Sequence, residues 1–150
     1  MKDMPKVVVF RLCSNEYGLK VDEVREVLKL QDITALPNSP DYVVGVTNIR
    51  GEITPIIDLR KKLNIPGFYG ADDDKDKEML VMVVEIDSIP VGILVDAVSD
   101  VMQISSENIE KINEIGNDIG VDYIEGIGKI DNRLIILLNI NKLINPQGFN

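Results

Sequence analysis

The chain of 150 residues has no histidine and no tryptophan, one cysteine, four tyrosines and three phenylalanines. Without histidine there is no Ser–His or Cys–His nucleophile pair, no imidazole metal ligand and no ordinary base near neutral pH. Catalysis would have to rest on carboxylates or lysine. The lone Cys13 makes an intramolecular disulfide impossible and excludes a cysteine-rich metal site. That usage suits a reducing compartment, with the cytoplasm as the default. Missing tryptophan removes the strongest stacking platform for single-stranded nucleic acid. The sequence also lacks a G-x-x-x-x-G-K-[ST] loop, a G-x-G-x-x-G turn and a G-x-S-x-G elbow, so no phosphate loop, dinucleotide turn or serine-hydrolase nucleophile is legible. The expectation is a protein that is not an enzyme, with no metal and no cofactor.

Positive charge is scarce. Sixteen lysines and arginines face 25 acidic residues, a net charge of −9, and Arg60-Lys61-Lys62 is the only cationic cluster. The electrostatic term that supplies most nucleic-acid affinity would be repulsive, as would attraction to an anionic membrane. Long apolar runs are absent too. Leu134 to Leu138 is far short of the roughly 20 residues of a membrane span, and Met1 to Pro5 carries no apolar signal region. No nucleic acid and no direct membrane insertion are expected. A chain of this length is long enough to bury a core as one domain.

What the chain does contain is an internal repeat. Val7 to Leu12 followed by Tyr17 to Leu28 recurs as Val81 to Ile86 followed by Val91 to Met102, an offset of 74 from Gly18 to Gly92. A second block, Asp41 to Ile53, matches Asp122 to Leu134 at an offset of 81 from Gly45 to Gly126. Pro55 to Leu59 then parallels Ile136 to Ile140, and each block ends in a lysine-bearing turn, Lys61 against Lys142. Matched apolar positions could arise by periodicity alone, but Gly, Tyr and Asp matched at set places could hardly do so. The units run over about 7–66 and 80–145, separated by a charged linker over 67–79, and strands are free to cross between them.

Each unit reads as β-structure. Val7 to Leu12 is a continuous β-branched run. Val21 to Leu28 spaces its apolar residues at i, i+3, i+6 and i+7, which suggests a short helix leading into a strand over about Lys29 to Ala35. Tyr42 to Ile49 and Glu52 to Leu59 form a hairpin turning at Arg50-Gly51, and the copy turns at Asp131-Asn132. About five short strands per unit favour closure into a small barrel, since closure removes exposed edges. The predicted fold is mainly β, with two similar five-stranded, SH3-like barrels side by side and short helices.

Several residues invite a chemical reading. Asp74, Asp76 and Glu78, with Glu85 in the twelfth place, imitate a calcium loop, yet the sixth place is Met79 where a glycine is wanted. A solvated loop is the better reading. Cys13 reads as a small buried hydrophobe. Asp22 and Asp96 hold the same place in both repeats and could pair as acid and base. Capping of a following helical turn explains them more simply. Gly18 and Gly92 read as turn or bulge glycines. Arg50 stands at a hairpin tip where the other copy has Asp131, so the architecture does not require a cation there. An exposed solvated arginine and an anchor for a carboxylate-bearing partner are both open. Val24, Val27, Val98 and Val101 read as core, or as a partly exposed groove for an amphipathic helix.

Taken together, Asp22 to Leu28, Ile33 to Tyr42, the Gly45-Val46-Thr47-Asn48-Ile49-Arg50-Gly51 hairpin with its Pro55 to Arg60 return, and Val91 to Val101 resemble the CheW family of chemotaxis coupling proteins. The resemblance runs from about Val7 to Ile144. It implies a cytoplasmic adaptor without an active site, recruited to membrane receptor arrays through its partners. Those partners would be the regulatory domain of the histidine kinase CheA and the cytoplasmic tip of chemoreceptors. By carry-over, Val21, Val24, Glu26 and Ile33 would face the kinase, while Arg50, Leu80, Val98 and Val101 would lie near the receptor. The same fold occurs within CheA and CheV. The length of the chain and its missing phosphoacceptor histidine favour the coupling protein over either.

Overall fold

The protein, known as a computed structural model, is described over residues 5–30, 32–63, 79–111 and 123–144. The first repeat supplies β1 (Lys6–Leu12), β2 (Asn15–Lys20), a 3-10 turn (Val21–Glu23), β3 (Val24–Lys29), β4 (Val43–Ile49), β5 (Glu52–Asp58) and the one-turn helix α1 (Leu59–Lys62). The second supplies β6 (Leu80–Ile86), β7 (Ile89–Val95), β8 (Ala97–Gln103), a 3-10 turn (Ser106–Asn108), β9 (Ile109–Lys111), β10 (Ile124–Ile130), β11 (Arg133–Leu138) and α2 (Ile140–Leu143). The fold is mainly β, as the sequence predicts. The charged linker, with Asp74, Asp76 and Glu78 of the calcium-like pattern, lies outside the described residues except for Met79.

The strands form one sheet of six, in the order β8-β1-β2-β11-β10-β9, and one of five, in the order β3-β6-β7-β5-β4. Each sheet mixes the repeats. The β1–β2 hairpin joins the second copy's β11 in parallel, Gly18 opposite Leu137; the β6–β7 hairpin joins the first copy's β5 in the same way, Gly92 opposite Ile56. The chain accordingly divides into two compact units that differ from the sequence repeats. One holds the described residues up to Glu23 and from Val98 onward, and the other holds those from Val24 to Ala97. Parallel neighbours cannot be joined by a tight turn, so each copy's first hairpin takes its parallel neighbour from the other copy.

Both cores use equivalent positions. Val7, Val9 and Leu137 pack with Ile104 and Ile135 in the first unit. Val81, Val83 and Ile56 pack with Ile49 and Leu94 in the second. The helix starts match as well. Asp58 and Asn139 cap α1 and α2 with nearly identical backbone angles, φ −94°, ψ 103° and φ −95°, ψ 102°. Their backbone N–H groups donate to the carbonyls of Tyr42 and Tyr123, respectively.

Two sequence expectations are corrected. Gly18 and Gly92 are not turn residues; they lie within β2 and β7, where a Cβ would stand 2.5 Å from Val7 Cγ1 and 2.6 Å from Ile56 Cδ1. They are small because the core approaches the strand there. The strand expected over Lys29 to Ala35 begins earlier, at Val24, and among the described residues of the later segment only Thr34 makes a β-bridge, to Val46. The helix-like spacing of Val21, Val24, Val27 and Leu28 arises because a short 3-10 turn gives way directly to β3.

Candidate functional site

The five-stranded sheet leaves β3 at one edge and β4 at the other. What faces β3 from the β4–β5 hairpin is set by its two-residue turn, Arg50-Gly51, with φ of 52° and 86°. Positive φ at both positions is the type I′ geometry that matches strand twist. The turn presents Arg50 outward with its side chain 74% exposed, against Glu26 of β3 at 19%. Arg50 Nε donates to both Glu26 carboxylate oxygens at 3.2 and 3.0 Å, and Nη2 donates to Oε1 at 2.9 Å. The register of β3 against β6 shifts between Val24 and Glu26, a bulge of the kind that re-aims neighbouring side chains.

A second pair crosses the same gap. Arg25 Nη1 donates to Glu52 Oε1 at 3.1 Å, while its Nε and Nη2 donate to Glu85 Oε2 on β6 at 3.2 and 2.8 Å. The hydrogen bond from Arg50 holds the Glu26 carboxyl below the usual range, and donation to the Glu85 carboxylate raises Arg25 above its ordinary value. Both shifts favour the charged forms of Glu26 and Arg25.

The other unit carries a counterpart with different chemistry. Arg133, at the start of β11, donates to Glu16 at 2.9 and 2.6 Å and to Asp100 of β8 at 2.8 Å. Asp100 is the repeat partner of Glu26, while Asp131 replaces Arg50. The cation has thus moved from the turn to the first residue of the following strand.

The residues carried over by resemblance are divided between the units. Val24, Glu26 and Ile33 of the kinase set belong to the second unit, with Val21 in the first. Of the receptor set, Arg50 and Leu80 belong to the second, and Val98 and Val101 to the first. Glu26 and Arg50, assigned to different partners, are in fact one ion pair. Ile33 packs partly against the core of its unit. Val24 and Val98 are half-buried, whereas Val27 and Val101 are 39% and 62% exposed. The core reading of the valines therefore does not hold for Val27 and Val101. Sequence reasoning missed Arg25 and Glu52, as well as Ile53 and Leu134, which are 71% and 61% exposed. The last two occupy equivalent positions in both copies, a signal that was available.

The remaining candidates resolve into structure. Asp22 lies inside a 3-10 turn rather than ahead of one, and β8 follows Asp96 directly with no helical turn to cap. Capping falls instead to Asp58, Ser105 and Asn139. Cys13 is half-buried and takes a positive φ of 56° in the β1–β2 turn. Glu85 of the calcium-like pattern is occupied by Arg25. Among the described residues no group of three or more His, Cys, Asp or Glu side chains could hold a metal ion, and no helix is long and apolar enough to cross a membrane.

Comparison with known proteins gives a consistent result. The family model described as CheW-like domain matches residues 6–147. The chain is 36% identical over 140 residues to the chemotaxis protein CheW of Klebsiella aerogenes, covering 93% of this chain and 81% of that protein. It is 33% identical to the chemotaxis protein CheW of Bacillus subtilis, covering 98% and 91%. Among solved structures, the scaffolding protein TtCheW from Thermoanaerobacter tengcongensis superposes with a TM-score of 0.81 at 36% identity, over 97% of this chain and 96% of that one.

Proposed function

The chain belongs to the CheW family, and from that premise we propose that it is a non-catalytic adaptor coupling chemoreceptors to the histidine kinase CheA. The observation that carries this reading is the match along nearly the whole chain at 36% identity. The alternative reading, in which the chain is a regulatory piece of a kinase or of CheV, is weaker for CheV, because the chain is 27% identical to the chemotaxis protein CheV3 of Helicobacter pylori against 36% and 33% to the CheW relatives. The protein works in the cytoplasm and reaches the membrane through its receptors.

Within this reading, Val21, Val24, Glu26 and Ile33 serve the kinase, and Arg50, Leu80, Val98 and Val101 serve the receptor. The Glu26–Arg50 pair modifies the division. Neither residue can be changed without disturbing the other, so a variant at either position reaches both surfaces. Arg50 uses Nε and Nη2 on Glu26, and its remaining Nη1 edge suits a carboxylate or carbonyl of a receptor tip.

Co-sedimentation with receptor-bearing membranes, with and without kinase, tests the proposal. The protein is expected to pellet with receptors and to raise kinase activity only when receptors are present. Arg50→Glu, which sets a carboxylate against Glu26, is expected to reduce receptor capture by about tenfold or more, as for an interface anchor. Its circular dichroism should stay native, since charge reversal at an exposed tip costs little stability. Unaltered capture by this variant would remove Arg50 from the receptor surface.

A further inference from the structure

Beyond Ile49, which is buried in the core, the tip that carries Arg50 is exposed. Gly51 is exposed, and a Cβ built there would meet nothing within 4 Å. β3 and β4 are opposite edges of their sheet, so no main-chain ladder joins the tip to β3. Among the described residues the two are joined by the crossed ion pairs, Arg25 to Glu52 and Arg50 to Glu26. Two adjacent residues of opposite sign on β3 meet two residues of opposite sign flanking Gly51. The alternative pairing would set arginine against arginine and glutamate against glutamate, so the charges specify one register.

We propose that Arg25 is a positioning residue for Arg50: gripping Glu52, it holds the β4–β5 tip against β3 and keeps Arg50 seated on Glu26. Glu85 orients the guanidinium from behind by accepting from Nε and Nη2, which leaves Nη1 for Glu52. A planar fork can divide its donors in this way, whereas a lysine ammonium cannot fix the same direction. The arrangement is not a general requirement of the repeat. The second copy has Ser99 in place of Arg25 and Arg133 in place of Glu52.

The functional consequence rests on the receptor role of Arg50, so the test separates the two claims. Receptor capture is measured by co-sedimentation for the unmodified protein, Arg25→Gln, Glu52→Gln, Arg50→Ala and the Arg25→Gln/Arg50→Ala double variant, each checked for native circular dichroism. Arg25→Gln and Glu52→Gln are each expected to lower capture by about two- to fivefold, the scale of an exposed ion pair. The double variant is expected to match Arg50→Ala alone. An equal loss from Arg25→Gln in both backgrounds would show that Arg25 acts independently and would overturn the proposal. Nitrogen-15 NMR of Arg50 gives a readout without a receptor: Arg25→Gln should speed hydrogen exchange of the Arg50 Nε–H several-fold. If Arg50→Ala binds receptors normally, the receptor role fails, and this exchange rate alone decides the clamp. An unchanged rate would overturn it.

Discussion

Gly18 and Gly92 illustrate how much a single position carries in this fold. Each lies opposite the parallel strand supplied by the other repeat, Gly18 at Leu137 and Gly92 at Ile56. A methyl group at Gly18 would sit 2.5 Å from Val7 Cγ1 and 3.0 Å from Leu137 Cδ2; at Gly92 it would sit 2.6 Å from Ile56 Cδ1 and 2.8 Å from Val81 Cγ1. These contacts are with buried core side chains. Gly18→Ala and Gly92→Ala are each expected to destabilise by about 1–3 kcal/mol, the usual cost of overpacking, measured as a lower urea midpoint with an unchanged slope. A variant as stable as the parent would mean that the strands can separate at the parallel junction. The glycines were legible in the sequence as a matched pair. Their reason was not, because it depends on the parallel neighbours Leu137 and Ile56, which the other repeat supplies.

At the scale of elements, hairpins were legible because their chemistry is local. Arg50-Gly51 and Asp131-Asn132 announce tight turns between apolar strands. Cys13-Ser14 does not, although its φ values of 56° and 103° place it in the same class. The start of β3 was misplaced because its pairing with β6 is an interaction between repeats that no local periodicity reports. The ion pairs were invisible for the same reason: Arg25 and Glu85 are 60 positions apart. Helix caps, by contrast, are a local feature shared by both copies, and their energetics should differ predictably. Asn139 accepts from the Lys142 N–H, so Asn139→Ala should cost about 1 kcal/mol. Asp58 caps α1 through the Arg60 N–H and also pairs with the buried Arg60 side chain at 3.1 Å. Asp58→Ala should therefore cost more than Asn139→Ala, because it also strips a carboxylate from a buried cation. Equal costs in parallel urea titrations would reduce Asp58 to a cap.

Across the whole molecule, the absence of histidine leaves carboxylates to set the pH response, and among the described residues three glutamates depart from the ordinary value of 4.5 in different directions. The hydrogen bond from Arg133 lowers Glu16, and that from Arg50 lowers Glu26. Burial raises Glu23, which is opposed by its hydrogen bond with Lys20. A lowered group binds fewer protons folded than unfolded, so its contribution is present above 4.5 and is lost as pH falls toward its folded value. Glu23 acts in the opposite sense: between 4.5 and its raised value the folded state binds more protons, and stability grows as pH falls. Melting temperature is thus expected to rise slightly on acidification toward pH 4.5 and then to fall below it. The two limbs can be separated by mutation. Glu23→Gln should abolish the rise, and Arg133→Met should flatten the fall by releasing Glu16 from its partner. The parent and both variants are to be read at low ionic strength, where exposed pairs such as Arg50–Glu26 are least screened. A fall of the same steepness in Arg133→Met would assign the acid limb to other carboxylates of this strongly acidic chain.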